Sequence, residues 1–233
     1  MITVQQLVKR FESQVAVDTV SFHVAPGELF ALLGPNGAGK TTTLNCLLGF
    51  LKPESGTASI AGLDVVAHTQ EVRQRLAYIP EQVSLYGNFS ALENLDYFTA
   101  LAGHARSRTE LRALLTEVGL DPTSHDRRLA TFSKGMRQKV AIAIAMAKRA
   151  DALLLDEPTS GLDPSAAYDF SRLLHTLLER GVAILMATHD LFRAREDATH
   201  IGIMRHGRLA RTLSAAEIGH ADLQTLYLEV MHE

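Results

Sequence analysis

Two rhythms of apolar and polar positions organise the chain. In the first thirty residues they alternate: Ile2, Val4, Val15, Val17, Val20, Phe22 and Val24 are apolar, and Pro26-Gly27 closes the segment. Alternation puts every second side chain on one face, so two or three antiparallel strands are predicted there. Residues 29–33, Leu-Phe-Ala-Leu-Leu, instead form an unbroken apolar run that stops at Gly34. Residues 152–155 repeat the design before Asp156, and residues 182–187 repeat it before Thr188-His189. Unbroken runs suit strands covered on both faces, as in a parallel sheet. Helices are expected over 40–51, 91–102, 109–118, 134–148 and 165–179, and residues 57–60 read as a short strand rejoining the N-terminal sheet. Residues 201–205 and 208–213 read as a hairpin turned at His206-Gly207. The class is therefore α/β. Residues 1–82 and 151–233 are expected to form the core and its antiparallel β part. Residues 83–150, without a strand signal, are expected to be an inserted helical lobe of the same single domain.

Composition narrows the functional classes. The 233 residues are 46% hydrophobic and 21% charged, which excludes wholesale disorder. The net charge of −3 supplies no global basic field, so no nucleic-acid partner is expected and any anion site must be built locally. The lone cysteine cannot form an internal disulfide, which fits a reducing compartment. The longest apolar stretch, residues 140–147, is far short of the roughly 20 residues needed to cross a bilayer. No secretory signal is visible ahead of Lys9 and Arg10. A cytoplasmic protein is the expectation.

Local chemistry starts where the first apolar run ends. Gly34-Pro35-Asn36-Gly37-Ala38-Gly39-Lys40-Thr41 satisfies G-x-x-x-x-G-K-[ST], with a buried strand before it and a helix after it. Glycines let successive backbone N–H groups turn in on phosphate oxygens, and the following helix aims its positive end at them. Lys40 adds a point charge, the Thr41 hydroxyl is placed to ligate Mg²⁺, and Thr42 can add a further donor. The loop lacks the G-x-G-x-x-G spacing of dinucleotide sites. Ligands of open parallel sheets sit at the carboxyl ends of the strands, so Asp156, Glu157 and His189 share that edge. Asp156 is the candidate Mg²⁺ partner, and Glu157 is the candidate base that orients or deprotonates an attacking water. Because side chains alternate along a strand, the two carboxylates are expected to do different jobs. His189 is a candidate donor to a γ-phosphate.

These residues, in this order, resemble the nucleotide-binding subunit of an ATP-binding cassette (ABC) transporter, across almost the whole chain. The resemblance implies a P-loop NTPase core with a mostly parallel sheet, an N-terminal antiparallel β subdomain and an inserted helical subdomain. Phe11 matches the aromatic position that stacks on adenine. Phe132-Ser133-Lys134-Gly135-Met136 matches the signature motif usually written LSGGQ, with Lys134 and Met136 replacing Gly and Gln, as in the branch of drug, antibiotic and ion exporters. Ser133 and Gly135 are then expected to face the γ-phosphate of ATP held by a second subunit, with Lys134 adding positive charge there. Ser160-Gly161-Leu162-Asp163 matches the loop that crosses the dimer interface. Glu81 stands where the family usually has glutamine, with Gln82 next, and either is a candidate to reach the metal or the lytic water.

The resemblance further implies ATP and Mg²⁺ as cofactors. Its implied partners are a second nucleotide-binding subunit (identical or related) and a separate transmembrane permease, which would hold the chain at the cytoplasmic face of the plasma membrane. Residues 83–103, with Tyr86 and Phe89 as candidate anchors, would receive that permease. The alternative is a soluble ABC ATPase of repair or translation. No N-K-x-D stretch supports a GTPase.

Overall fold

The computed structural model describes residues 1–214 and 220–232. The chain opens with strands β1 (Ile2–Phe11), β2 (Gln14–Val24) and β3 (Leu29–Leu33), then helix α1 (Lys40–Leu47). Strands β4 (Ser55–Ile60) and β5 (Leu63–Asp64), helix α2 (Thr69–Arg75) and strand β6 (Leu76–Ile79) follow. Helices α3 (Ala91–Leu101), α4 (Arg108–Glu117) and α5 (Lys134–Lys148) come next, before β7 (Ala152–Asp156), α6 (Pro164–Glu179) and β8 (Ala183–Thr188). The chain ends with α7 (Leu191–Asp197), β9 (His200–Arg205), β10 (Arg208–Ser214) and α8 (His220–His232).

The alternating N-terminal segment forms an antiparallel sheet in the order β2-β1-β4-β5. Residues 57–60 join it as expected, through β4 paired to β1 with Ile2 opposite Ile60. The three unbroken apolar runs become β3, β7 and β8, neighbours in a six-stranded sheet of order β10-β9-β3-β8-β7-β6. Its pairs are parallel except for the β9–β10 hairpin. Every residue of β3, β7 and β8 is buried. Side chains of β3 nonetheless divide by parity: Leu29, Ala31 and Leu33 pack with the helices α3, α5 and α6, while Phe30 and Leu32 pack with α1 and the antiparallel sheet. The Phe22 and Phe30 rings stack at 5.0 Å between the two sheets. Covering both faces explains why the runs show no alternation.

Besides the two-residue β5, four elements carry too little pattern to be read from the sequence. The helices α2 and α7 span seven residues each, barely two turns, too few for a helical period to stand out. Strand β6 is a four-residue sheet edge with Ala77 and Tyr78 only partly buried. Helix α8 lies beyond the last predicted element and buries Leu223 and Val230 against the main core. Helix α1 stops at Leu47, short of residue 51, because the N–H groups of Phe50 and Leu51 both turn back on Asn45 O (2.9 and 3.1 Å) around Gly49 in the left-handed region.

Strand register brings the chemistry to one edge. Leu33 lies opposite Thr188, Asp156 lies opposite Ala187, and Gly34 N–H donates to Thr188 O at 3.3 Å. The carboxyl ends of β3, β7 and β8 therefore finish together.

Candidate functional site

The loop from Gly34 to Gly39 leaves β3 and enters α1 with Gly39 at φ 104°, so the helix starts with no side-chain cap on its first N–H groups. Those groups and the positive end of the helix are free to face an anion. The loop is braced from behind by the β9–β10 turn: Gly207 N–H donates to Ala38 O at 3.0 Å, and Asp18 N–H donates to Gly207 O at 2.8 Å. Arg208 clamps Asp18 at 2.7 Å. Lys40 is buried, donating to Gly34 O (2.5 Å) and Pro35 O (3.2 Å), with Glu157 Oε1 3.6 Å away. Burial lowers the pKa of its ammonium, opposed by the Glu157 and Asp156 carboxylates.

The Thr41 hydroxyl donates to Asp156 Oδ1 at 3.3 Å. Burial raises the Asp156 pKa; the hydrogen bond from Thr41 and the charge of Lys40 oppose this, while the negative charges of Glu157 and Glu81 add to it. Glu157 breaks the strand alternation expected of it. Its φ of 46° is left-handed, and both carboxylates line the same cavity instead of opposite faces. Such a backbone costs about 1–3 kcal/mol in a residue with a Cβ, and here four contacts hold it. Glu157 N–H donates to Ala187 O (2.9 Å), and Glu157 Oε2 accepts from Thr188 Oγ1 (3.3 Å) and His189 N–H (3.3 Å) and meets His189 Nδ1 (2.9 Å). This contact engages His189 Nδ1 and leaves Nε2 as the ring nitrogen open to a further partner. Glu157 Oε1 is buried and accepts no hydrogen bond from the described residues.

A cavity of about 340 Å³ sits over the loop. Phe11, Gln14, Ala16, Pro35, Asn36, Gly37, Ala38, Gly39, Lys40, Thr41, Thr42, Glu81, Asp156 and Glu157 line it. Of the two glutamine-position candidates, Glu81 reaches it and the exposed Gln82 does not. Phe11 ends β1 at 46% exposure, with Lys9 Nζ 5.4 Å from its ring centre. His189 stands outside the lining, attached through Glu157.

Ser133, Gly135 and Asp163 are not among the lining residues. Ser133 caps α5, accepting from Met136 N–H at 3.3 Å, and Asp163 caps α6, accepting from Ala166 N–H at 3.0 Å with Pro164 in the first helical position. Lys134 does not extend freely from the helix: its ammonium donates to Ser160 O. Among the described residues, no group of three or more His, Cys, Asp or Glu side chains could hold a metal alone. The Thr41–Asp156 oxygen pair fits Mg²⁺, which takes few protein ligands and completes its shell with phosphate oxygens and water.

Four contributors went unread in the sequence: Gln14, Ala16, Thr188 and the His206-Gly207 turn. Gln14 and Ala16 reach the cavity because β2 folds back along β1, and no motif marks them. Thr188 braces Glu157, and its place beside His189 at the end of an apolar run was the available signal. The His206-Gly207 turn was legible as a turn but not as the brace of the loop.

A family model described as "ABC transporter" matches residues 17–160. A "Nod factor export ATP-binding protein I" of Burkholderia pseudomallei (strain 1710b) is 40% identical over 223 residues, covering 92% of this chain and 73% of that protein. A solved ATP-binding subunit of an ABC transporter superposes with a TM-score of 0.86 at 32% identity, covering 99% of both chains. A bacterial ABC transporter cassette solved as a dimer gives 0.82 at 25% identity, covering 92% of this chain and 99% of that one.

Proposed function

Taking as premise that the chain belongs to the ABC transporter family as an ATP-binding, ATP-hydrolysing cassette, we propose that it powers export through a separate membrane permease, working as one half of a head-to-tail dimer. The observation that carries this reading is the convergence of Lys40, Thr41, Asp156 and Glu157 on one cavity, while the capped N-terminus of α5 lies outside it. A second copy, or a related subunit, would bring its Ser133 and Gly135 to the γ-phosphate held here, with Asp163 at the crossing loop. The dimeric cassette among the solved structures and the export relative support the reading.

In this scheme Phe11 stacks on adenine, and the loop and Lys40 hold the phosphates. Thr41 and Asp156 would hold Mg²⁺, which supplies neutralisation of phosphate charge. Glu157 Oε1 accepts the proton of the attacking water, while Oε2 stays anchored by Thr188 and His189. Glu81 is an additional carboxylate near Asp156 and suits a water-mediated contact better than direct ligation.

Among the described residues no helix is long and apolar enough to cross a membrane. An apolar groove of about 610 Å³ lined by Phe50, Tyr78, Val83, Phe98, Leu101 and Ile144 among others suits the permease's helices. Beside it, the rings of Tyr86, Phe89 and Tyr97 lie 39–48% exposed, clustered with Phe98 at centroid distances of 5.2 to 6.3 Å. Partly exposed aromatics next to an apolar groove are the composition of an interface core.

Replacing Ser133 with Arg tests the composite site. Steady-state phosphate release is expected to fall at least about tenfold, since a bulky side chain stands where two surfaces must close on one phosphate. Equilibrium ATP binding by the isolated chain is expected to stay at the native value. Native turnover in this variant would overturn the dimer reading.

A further inference from the structure

We propose that Lys134 is a positioning residue, whose ammonium latches the first turn of α5 to the loop after Glu157 and so fixes the anion-facing end of that helix against the acidic strand end of its own chain. A lysine as first helical residue is unfavourable beside the positive end of the helix dipole, and α5 has no acidic residue in its first turn. The side chain resolves this by reaching off the helix to donate to Ser160 O. Gly161 leaves it room: in its left-handed conformation (φ 67°), even a Cβ there would stop 4.0 Å from the ammonium. One turn along, Gln138 is buried and donates from Nε2 to Pro158 O. At Gly135 a Cβ would sit 3.3 Å from Ala166 Cβ, so the first turns of α5 and α6 pack closely against each other.

The latch also connects to the nucleotide cavity. Ser160 Oγ donates to Glu81 Oε1 at 3.1 Å, and Glu81 lines that cavity. Glu81, Ser160 and Lys134 thus form one continuous path from the cavity wall to the start of α5. This assigns Lys134 a role within its own subunit in place of the expected charge directed at a partner's phosphate. The inference depends on the proposed function only for its kinetic consequence.

Hydrogen exchange on the nucleotide-free full chain tests it without any catalysis. Lys134→Met keeps the stem and loses the donor. Exchange at Ser160 and Leu162, whose N–H groups bond Glu157 O and Thr159 O, is expected to quicken about fivefold, as a charge-assisted hydrogen bond to the loop is lost. Lys134→Arg, which retains a donor, is expected to keep native exchange. Unchanged exchange at β3 serves as the folding control. In steady-state hydrolysis, Lys134→Met is expected to lower kcat about fivefold with KM nearly constant, and Lys134→Arg to restore it. Native exchange in Lys134→Met overturns the latch whatever the turnover. Absence of hydrolysis by the native chain would instead count against the proposed function and leave the exchange result standing.

Discussion

Glu157→Gln is expected to cut ATP turnover at least about a hundredfold while ATP binding stays near native. The substitution keeps the size of the side chain and removes its ability to take a proton. Oε2 is anchored by Thr188 Oγ1, His189 N–H and His189 Nδ1. A glutamine carbonyl at that position accepts the same bonds, so the left-handed backbone at residue 157 stays supported. The other atom changes character. Oε1 is the buried oxygen that accepts no hydrogen bond from the described residues and stands 3.6 Å from Lys40 Nζ. An amide NH₂ there is a donor, unable to accept from water, and it weakens the attraction for the Lys40 ammonium without clashing. Single-turnover phosphate release measured beside equilibrium binding of ATP separates the two effects. Turnover within about threefold of native would remove Glu157 from the base role, because general-base catalysis is worth at least about a hundredfold.

The residues that carry this prediction differ in how legible they were. Lys40, Thr41 and Asp156 follow from local sequence, since each sits at a strand or helix end that an apolar run marks out. The parallel core was legible for the same reason: burial on both faces leaves continuous apolar runs. Glu157 was legible as a residue but not as a geometry. Strand alternation separated its job from that of Asp156, and the positive φ that turns both into one cavity depends on Ala187, Thr188 and His189, some thirty residues downstream. The same limit hid the partner of Lys134. A lysine in the signature segment reads as a free charge, and only the folded chain brings Ser160 beneath it. Short elements such as α2, β6 and α7 were illegible for another reason, as their existence rests on tertiary packing more than on local pattern.

Gly39→Ala is expected to lower ATP affinity at least about a hundredfold, equivalent to roughly 2.7 kcal/mol, and to destabilise the fold by about 2–4 kcal/mol. Two costs combine at this position. The backbone φ of 104° lies where a residue with a Cβ is strained, and the added Cβ would come within 2.4 Å of Ala16 O. That oxygen belongs to the backbone of β2, which pairs with β1 on either side of it, Val15 with Arg10 and Val17 with Lys9, so it cannot swing away as a side chain would. Met204 Cε at 3.3 Å and Gly207 Cα at 3.4 Å close the remaining directions. Relief must come from the loop itself, by shifting Gly39 and the N-terminus of α1 away from β2 and dispersing the N–H groups that face the phosphates. Gly37→Ala supplies the contrast: its φ of 81° carries comparable backbone strain, but nothing lies within 4 Å of the added Cβ. Its stability loss is expected to stay near 1 kcal/mol, the backbone part alone. Denaturant unfolding of the two variants beside calorimetric ATP binding measures both costs, and equal destabilisation at positions 37 and 39 would show that contact with β2 does not shape the cradle.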